Sequence, residues 1–170
     1  MRLRYQVDVG LGDTVFPPPE GVVPGGLLGL PMASVRAYTP YTTVAEKLEA
    51  MVVLGEANSR IKDYYDLALL PRMRAFDGGT LAESVRRTFA RRETSIPVAL
   101  PEGLSDAFGR SPLNAGRWKA LLEKGGLLKP SHPGFLEIVG EIRGFAQPVL
   151  EAVRDGQEHS THWPPGGPWR

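Results

Sequence analysis

The chain contains no cysteine. That excludes disulfides, thiolate zinc sites and cysteine nucleophiles together. It also fits a reducing compartment, so the expected location is the cytoplasm. No run of about 18 apolar residues occurs, so nothing in the sequence reads as a membrane-spanning helix. Met1-Arg2-Leu3-Arg4 leads directly into alternating polarity instead of a signal-peptide core. Excess charge is missing as well: 20 Lys+Arg against 19 Asp+Glu leave +1, too little to advertise a nucleic-acid partner by net charge. What is present is a globular composition of 170 residues, 42% hydrophobic and 23% charged, sufficient for one domain with its own core. The 20 Gly and 16 Pro require many loops.

Residues 3–9 alternate, with Leu3, Tyr5, Val7 and Val9 on one side and Arg4, Gln6 and Asp8 on the other, the pattern of a half-buried strand. Pro17-Pro18-Pro19, Gly21, Pro24-Gly25-Gly26 and Gly29 mark Phe16 to Pro31 as loop. Ser34 to Tyr38 is expected as a short second strand. Thr43-Val44-Ala45-Glu46 is a capping box that predicts a helix ending at Gly55. Asn58 or Ser59 caps a second helix to about Leu70, stopped by Pro71. The short connection makes these two a hairpin. Thr80-Leu81-Ala82-Glu83 opens another helix to about Arg92. Shorter helices are expected near 104–108 and 114–123, and a long one from Phe135 to Arg154. Residues 155–170, rich in Pro and Gly, read as a disordered tail. The predicted organisation is α+β: strands and loop over 1–42, a helical region over 43–154, and the tail.

Charge is densest in the predicted hairpin. Lys47 neighbours Leu48, Ala50, Met51 and Leu54, so its stem crosses partly apolar surface. On the second helix Lys62 and Asp66 are i,i+4 and Asp63 and Asp66 are i,i+3, so each pair shares a side. An antiparallel hairpin brings Lys47 near Asp66, with Arg60 and Lys62 at the rim. Periodicity alone does not choose between solvated ion pairs and a cationic cradle for phosphate with carboxylates beside it.

The runs Thr43-Val44-Ala45-Glu46-Lys47-Leu48-Glu49-Ala50 and Asn58-Ser59-Arg60-Ile61-Lys62-Asp63-Tyr64-Tyr65-Asp66-Leu67 resemble the two C-terminal motifs of the AbiEii/AbiGii toxin family. Tyr5-Gln6-Val7-Asp8-Val9 with Gly12-Asp13 resembles the family's middle strand motif, and Thr88 to Pro97 its following helix end. The resemblance spans about Arg2 to Val153. It implies a nucleotidyltransferase-like toxin of a type IV toxin–antitoxin, abortive-infection (phage-defence) system, with the helical half following a polymerase-β-like sheet. In that family the complete enzyme would move a nucleoside monophosphate from an NTP to an RNA hydroxyl, tRNA foremost, with a cognate antitoxin encoded nearby. Asp8 would be a catalytic carboxylate and Mg²⁺ ligand, Lys47 a phosphate contact, and Asp66 a base or orienter. Lys62 and Asp63 would flank the nucleotide, with Arg60 contacting either phosphate or Glu56.

The chain departs from this pattern in one respect. The earlier family motif, a Gly-rich turn followed by Asp-x-Asp, has no counterpart, since no Asp-x-Asp occurs and the glycines begin after Asp8. Two of three metal carboxylates are therefore missing, and the expectation is the C-terminal portion of a toxin, inactive by itself. The alternative is a non-catalytic remnant that binds RNA or a partner protein. Arg86, Arg87, Arg91 and Arg92 are the candidates for an RNA-tracking stripe, against simple pairing with Glu83 and Glu93. His159 and His162 have a metal-compatible spacing without supporting ligands. Tyr64, Tyr65 and Trp118 are expected to fill the core.

Overall fold

The computed structural model describes residues 12–23, 25, 33–127 and 132–170. The strand expected over residues 3–9, and Asp8 with it, lies outside the described residues. The class is α+β: six helices and two small antiparallel sheets among the described residues. No helix of the described residues is long and apolar enough to cross a membrane.

β1 (Glu20–Val22) pairs antiparallel with β2 (Val35–Ala37), Gly21 standing opposite Arg36. The second strand is as expected, but the first corrects the reading of 16–31 as loop throughout. The three residues of β1 follow the proline run and keep all their amide donors, so the ladder can form there despite the surrounding Pro and Gly.

Both capping-box helices start earlier than expected. α1 (Pro40–Leu54) begins with Pro40 in its first turn, after Thr39 in extended conformation. The fixed φ of proline suits that place, and its missing N–H would have had no partner there. Thr43 is therefore already inside the helix, its hydroxyl donating back to the Thr39 carbonyl. α1 stops at Gly55, whose φ of 47° ends the helix and whose N–H donates to Met51 O. Val44, Ala45, Leu48 and Met51 form its core face. α3 (Gly78–Arg91) begins after Asp77, whose Oδ1 accepts from Thr80 N at 2.8 Å and Thr80 Oγ1 at 2.6 Å. Thr80 is thus a capped residue and not the cap.

Between them, Asn58 is fully buried and accepts from Arg60 N at 2.9 Å, opening α2 (Ile61–Met73). Pro71 lies inside α2 and does not end it. Its carbonyl, in the last turn, accepts from Trp163 Nε1 and from Gly166 N, each at 2.9 Å. Those distant donors satisfy a group that a helix end otherwise leaves orphaned. α4 (Asp106–Arg110) and α5 (Pro112–Lys124) are capped by Ser105 and Ser111, and α6 (Phe135–Asp155) ends at left-handed Gly156. The long helix matches its expected limits closely.

Residues 155–170 are not a loose tail. β4 (His162–Trp163) pairs with β3 (Phe76–Asp77), and Gly78 N donates to Thr161 O at 2.9 Å. A Cβ on Gly78 would fall 2.5 Å from His159 and 2.6 Å from the Thr161 carbonyl, so the strap closes only over a glycine. Trp163 packs edge-on to Phe145 with centroids 5.0 Å apart, Trp169 stacks on it at 5.5 Å, and Trp169 Nε1 donates to Phe145 O. Two tryptophans bring enough apolar surface to hold a Pro/Gly-rich segment in place. A second aromatic group joins Tyr64, Phe108, Phe135 and Trp118, with the Tyr64 hydroxyl donating to Gly103 O at 2.9 Å. Trp169→Ala is expected to lower unfolding free energy by about 2–4 kcal/mol. A urea titration checks it: the midpoint falls while the slope stays the same.

Candidate functional site

The helical hairpin brings the charged motif residues together. Lys47 Nζ, reaching from α1, lies 2.5 Å from Asp63 Oδ1 and 2.9 Å from Asp66 Oδ2 on α2. Lys62 Nζ meets the same Asp66 oxygen at 2.9 Å. Lys47 and Asp63 are 17% exposed and Asp66 24%, whereas Lys62 is 74% exposed. The arrangement follows from helix geometry, since Asp63 and Asp66 are a turn apart on the side of α2 that faces α1.

Burial works against the Lys47 ammonium, yet its hydrogen bonds to Asp63 and Asp66, with their charges, outweigh that and lift its pKa. Burial would raise the Asp66 pKa, but the hydrogen bonds from Lys62 and then Lys47 pull it below the ordinary value. Lys47 and Asp66 are thus each held in the charged form, with Lys47 half-enclosed and Lys62 facing solvent.

Arg60 sits exposed at the start of α2, where its backbone N–H donates to Asn58 Oδ1, and it makes no ion pair with Glu56 among the described residues. The α3 arginines are exposed, and each is engaged with a neighbouring group. Arg86 and Arg87 both bond to Glu83, Arg87 at 2.6 Å. The Arg87 guanidinium also lies 4.2 Å over the Phe16 ring. Arg91 Nε donates to Gly12 O at 2.7 Å.

Arg92 belongs to a network that the sequence reading missed. Its Nη1 donates to Glu49 Oε2 at 2.7 Å, and its Nη2 lies 3.7 Å from Glu46 and 3.9 Å from Asp13. Thr94 Oγ1 donates to the other Glu49 oxygen at 2.7 Å. Burial raises the Glu46 pKa; Arg92 opposes that, and Asp13 and Glu49 add to it. One signal was available: Glu49 stands in an otherwise apolar stretch of α1, where a carboxylate needs a partner. The partner itself, 43 residues on, has no local mark.

Tyr64 is fully buried and Tyr65 packs on Trp118, so both serve the core as expected. His159 lies edge-on to Trp169 at 4.6 Å, and no group of three or more metal-ligating side chains occurs among the described residues.

The fold and site define an α+β protein whose charged centre is a lysine gripped by two carboxylates across a helical hairpin. Residues 1–141 match the family described as nucleotidyl transferase AbiEii toxin, type IV TA system, and the chain belongs to that family. The match takes in the Lys47 cluster and the Arg92 network and ends early in α6. No curated protein and no solved structure matches the chain.

The shifted pKa values set a pH window. Asp66 is depressed, so its contribution to stability is present above the ordinary value of 3.8 and is lost as pH falls through its lower folded value. Lys47 is raised, so its contribution is present below 10.5 and is lost as pH rises through its higher folded value. The stability advantage of wild type over Asp66→Asn is therefore expected to stay level from about pH 5 to 9 and to shrink in stronger acid. Urea midpoints of both proteins across that range test it.

Proposed function

We propose that this chain supplies the phosphate-contacting part of a nucleotidyltransferase toxin's site. The reaction is transfer of a nucleoside monophosphate from an NTP to an RNA hydroxyl, tRNA being the favoured acceptor. The observation that carries this reading is Lys47 held between Asp63 and Asp66 inside the region matched to the family. Membership of a type IV toxin–antitoxin family also implies an antitoxin partner and a nucleotide substrate.

In this reading the attacking hydroxyl oxygen bonds to the α-phosphorus, the bond to the departing pyrophosphate breaks, and the hydroxyl proton is released. Catalysis of such a step is mainly positioning and charge stabilisation. Lys47 stays cationic at neutral pH and is pre-aimed by its two carboxylates. Lys62 and Arg60, both exposed, are free to swing toward polyphosphate. The lowered pKa of Asp66 makes it a poor proton acceptor near neutrality, which favours a role as orienter of Lys47 over that of general base.

The family implies Mg²⁺ with Asp8 as a ligand. The described residues do not fit that ion: Asp63 and Asp66 face an ammonium that the ion would have to displace, and Asp-x-Asp is missing from the sequence.

The rival reading, RNA binding without catalysis along the α3 arginines, has less support because Arg87, Arg91 and Arg92 are engaged with residues 12–16. Binding of labelled NTP and of RNA to the purified chain separates the two. The phosphate-contact reading predicts saturable NTP binding that weakens by about tenfold or more in Lys47→Ala, as loss of a charged hydrogen bond does. NTP binding undiminished in both Lys47→Ala and Asp66→Asn removes the role assignment. Absence of NTP binding, with RNA retention that falls steeply with salt, supports the rival.

A further inference from the structure

We infer that the cleft between α2, α6 and the C-terminal strap is a binding site for a free α-amino acid with a bulky apolar side chain. The cleft holds about 410 Å³, a volume typical of small-molecule sites. Its walls are Leu67 and Pro71 of α2, Gly144 and Phe145 of α6, and Trp163 and Gly166 of the strap. Arg72 and Glu141 line it too, and at 40% and 45% exposure they stand at its mouth. The site is separate from the Lys47 cluster. Ala68 and Arg72, which face it from α2, lie more than about 100° round that helix from Asp63 and Asp66. Gly144, Phe145, Trp163 and Gly166 also lie beyond the residues matched to the family.

Two glycines keep the cleft open. A Cβ at Gly144 or at Gly166 would meet nothing within 4 Å, so each leaves space that a side chain could take. Gly144 lies inside α6, where glycine is less favourable than alanine, so the opening is kept against helix propensity. The depth of the cleft is apolar. Leu67 and Phe145 are buried, and the polar groups beside them are already satisfied. The Pro71 carbonyl accepts from Trp163 Nε1 and from Gly166 N, which also uses the one donor that the Trp163 side chain has. A ligand group that enters this depth must therefore be apolar, or it would lose its bonds to water without gaining others.

The mouth has the opposite character. Arg72 Nε at 3.0 Å and Nη2 at 2.5 Å both donate to the same oxygen, Oε2 of Glu141. Pairing through one oxygen leaves Arg72 Nη1 and Glu141 Oε1 without a hydrogen bond among the described residues. One cationic donor and one anionic acceptor thus stand open side by side. A simple anion would meet Arg72 but be repelled by Glu141, and a simple cation would meet the reverse. A molecule that carries both signs close together finds an opposite charge for each, through two charge-assisted hydrogen bonds. In a free α-amino acid the carboxylate, the ammonium and the side chain leave one carbon. The two charges can then bridge Arg72 and Glu141 while the side chain fills the apolar depth. A peptide holds its two terminal charges too far apart to do this.

Calorimetric titration of the full chain with L-phenylalanine tests the inference, with 3-phenylpropionate as the anion alone and 2-phenylethylamine as the cation alone. L-phenylalanine is expected to saturate with a Kd of about 1 mM or tighter. Each control is expected to bind at least about tenfold more weakly, having lost one charged hydrogen bond. Gly144→Leu fills the cleft and abolishes binding. Arg72→Gln and Glu141→Gln each weaken it by about tenfold, and Lys47→Ala leaves it unchanged. If Gly144→Leu does not fold, the two charge variants, both at exposed positions, decide the matter. No saturation by about 10 mM, or equal affinity for the controls, overturns the inference. So does binding that every folded cleft variant retains, or that Lys47→Ala removes.

Discussion

Three sides of α1 are committed, and the rest of the structure is arranged around that constraint. Val44, Ala45, Leu48 and Met51 need an apolar neighbour; Glu49, only 8% exposed, needs a cation; Lys47 needs anions. α3 answers the second need through Arg92, and α2 answers the third through Asp63 and Asp66. A buried carboxylate or ammonium left unpaired costs several kcal/mol, so these helices have little freedom to slide past one another. The charged groups therefore fix register more than they add stability.

The two ion-pair groups differ in how they face water. In the Lys47 group every charge has a partner and one member, Lys62, lies in solvent, so an incoming anion can meet that lysine while Lys47 keeps Asp66 paired. The Arg92 group sets three carboxylates around one guanidinium, with Glu49 closed off beneath it.

Where the sequence signal was local, it located the structure well. Gly55 ends α1, α6 runs as its apolar period requires, and the pairing of Lys47 with Asp66 follows from a short connection between two helices. The starts of α1 and α3 were misplaced for one reason. A Thr-x-x-Glu pattern fits equally well one turn inside a helix, and Pro40 and Asp77 were the true markers. Pro71 and the final residues were misjudged because their partners are remote. Nothing near Pro71 shows that Trp163 will bond its carbonyl, and nothing near residue 169 shows that Phe145 awaits it. The Arg92 network was invisible for the same reason, while Asp8 lies outside the described residues.

The strap has a kinetic consequence. Pro71 and Trp163 are 92 residues apart, and the loop between them must close before either gains anything from the contact. Contacts of such long range form late in folding. Until then Phe145 lacks both tryptophan rings, and a patch of apolar surface stands open beside the unpaired edge of β3. The interval before the strap closes is when this chain is most open to aggregation, so its weak point is a moment in folding and not a place on the finished surface.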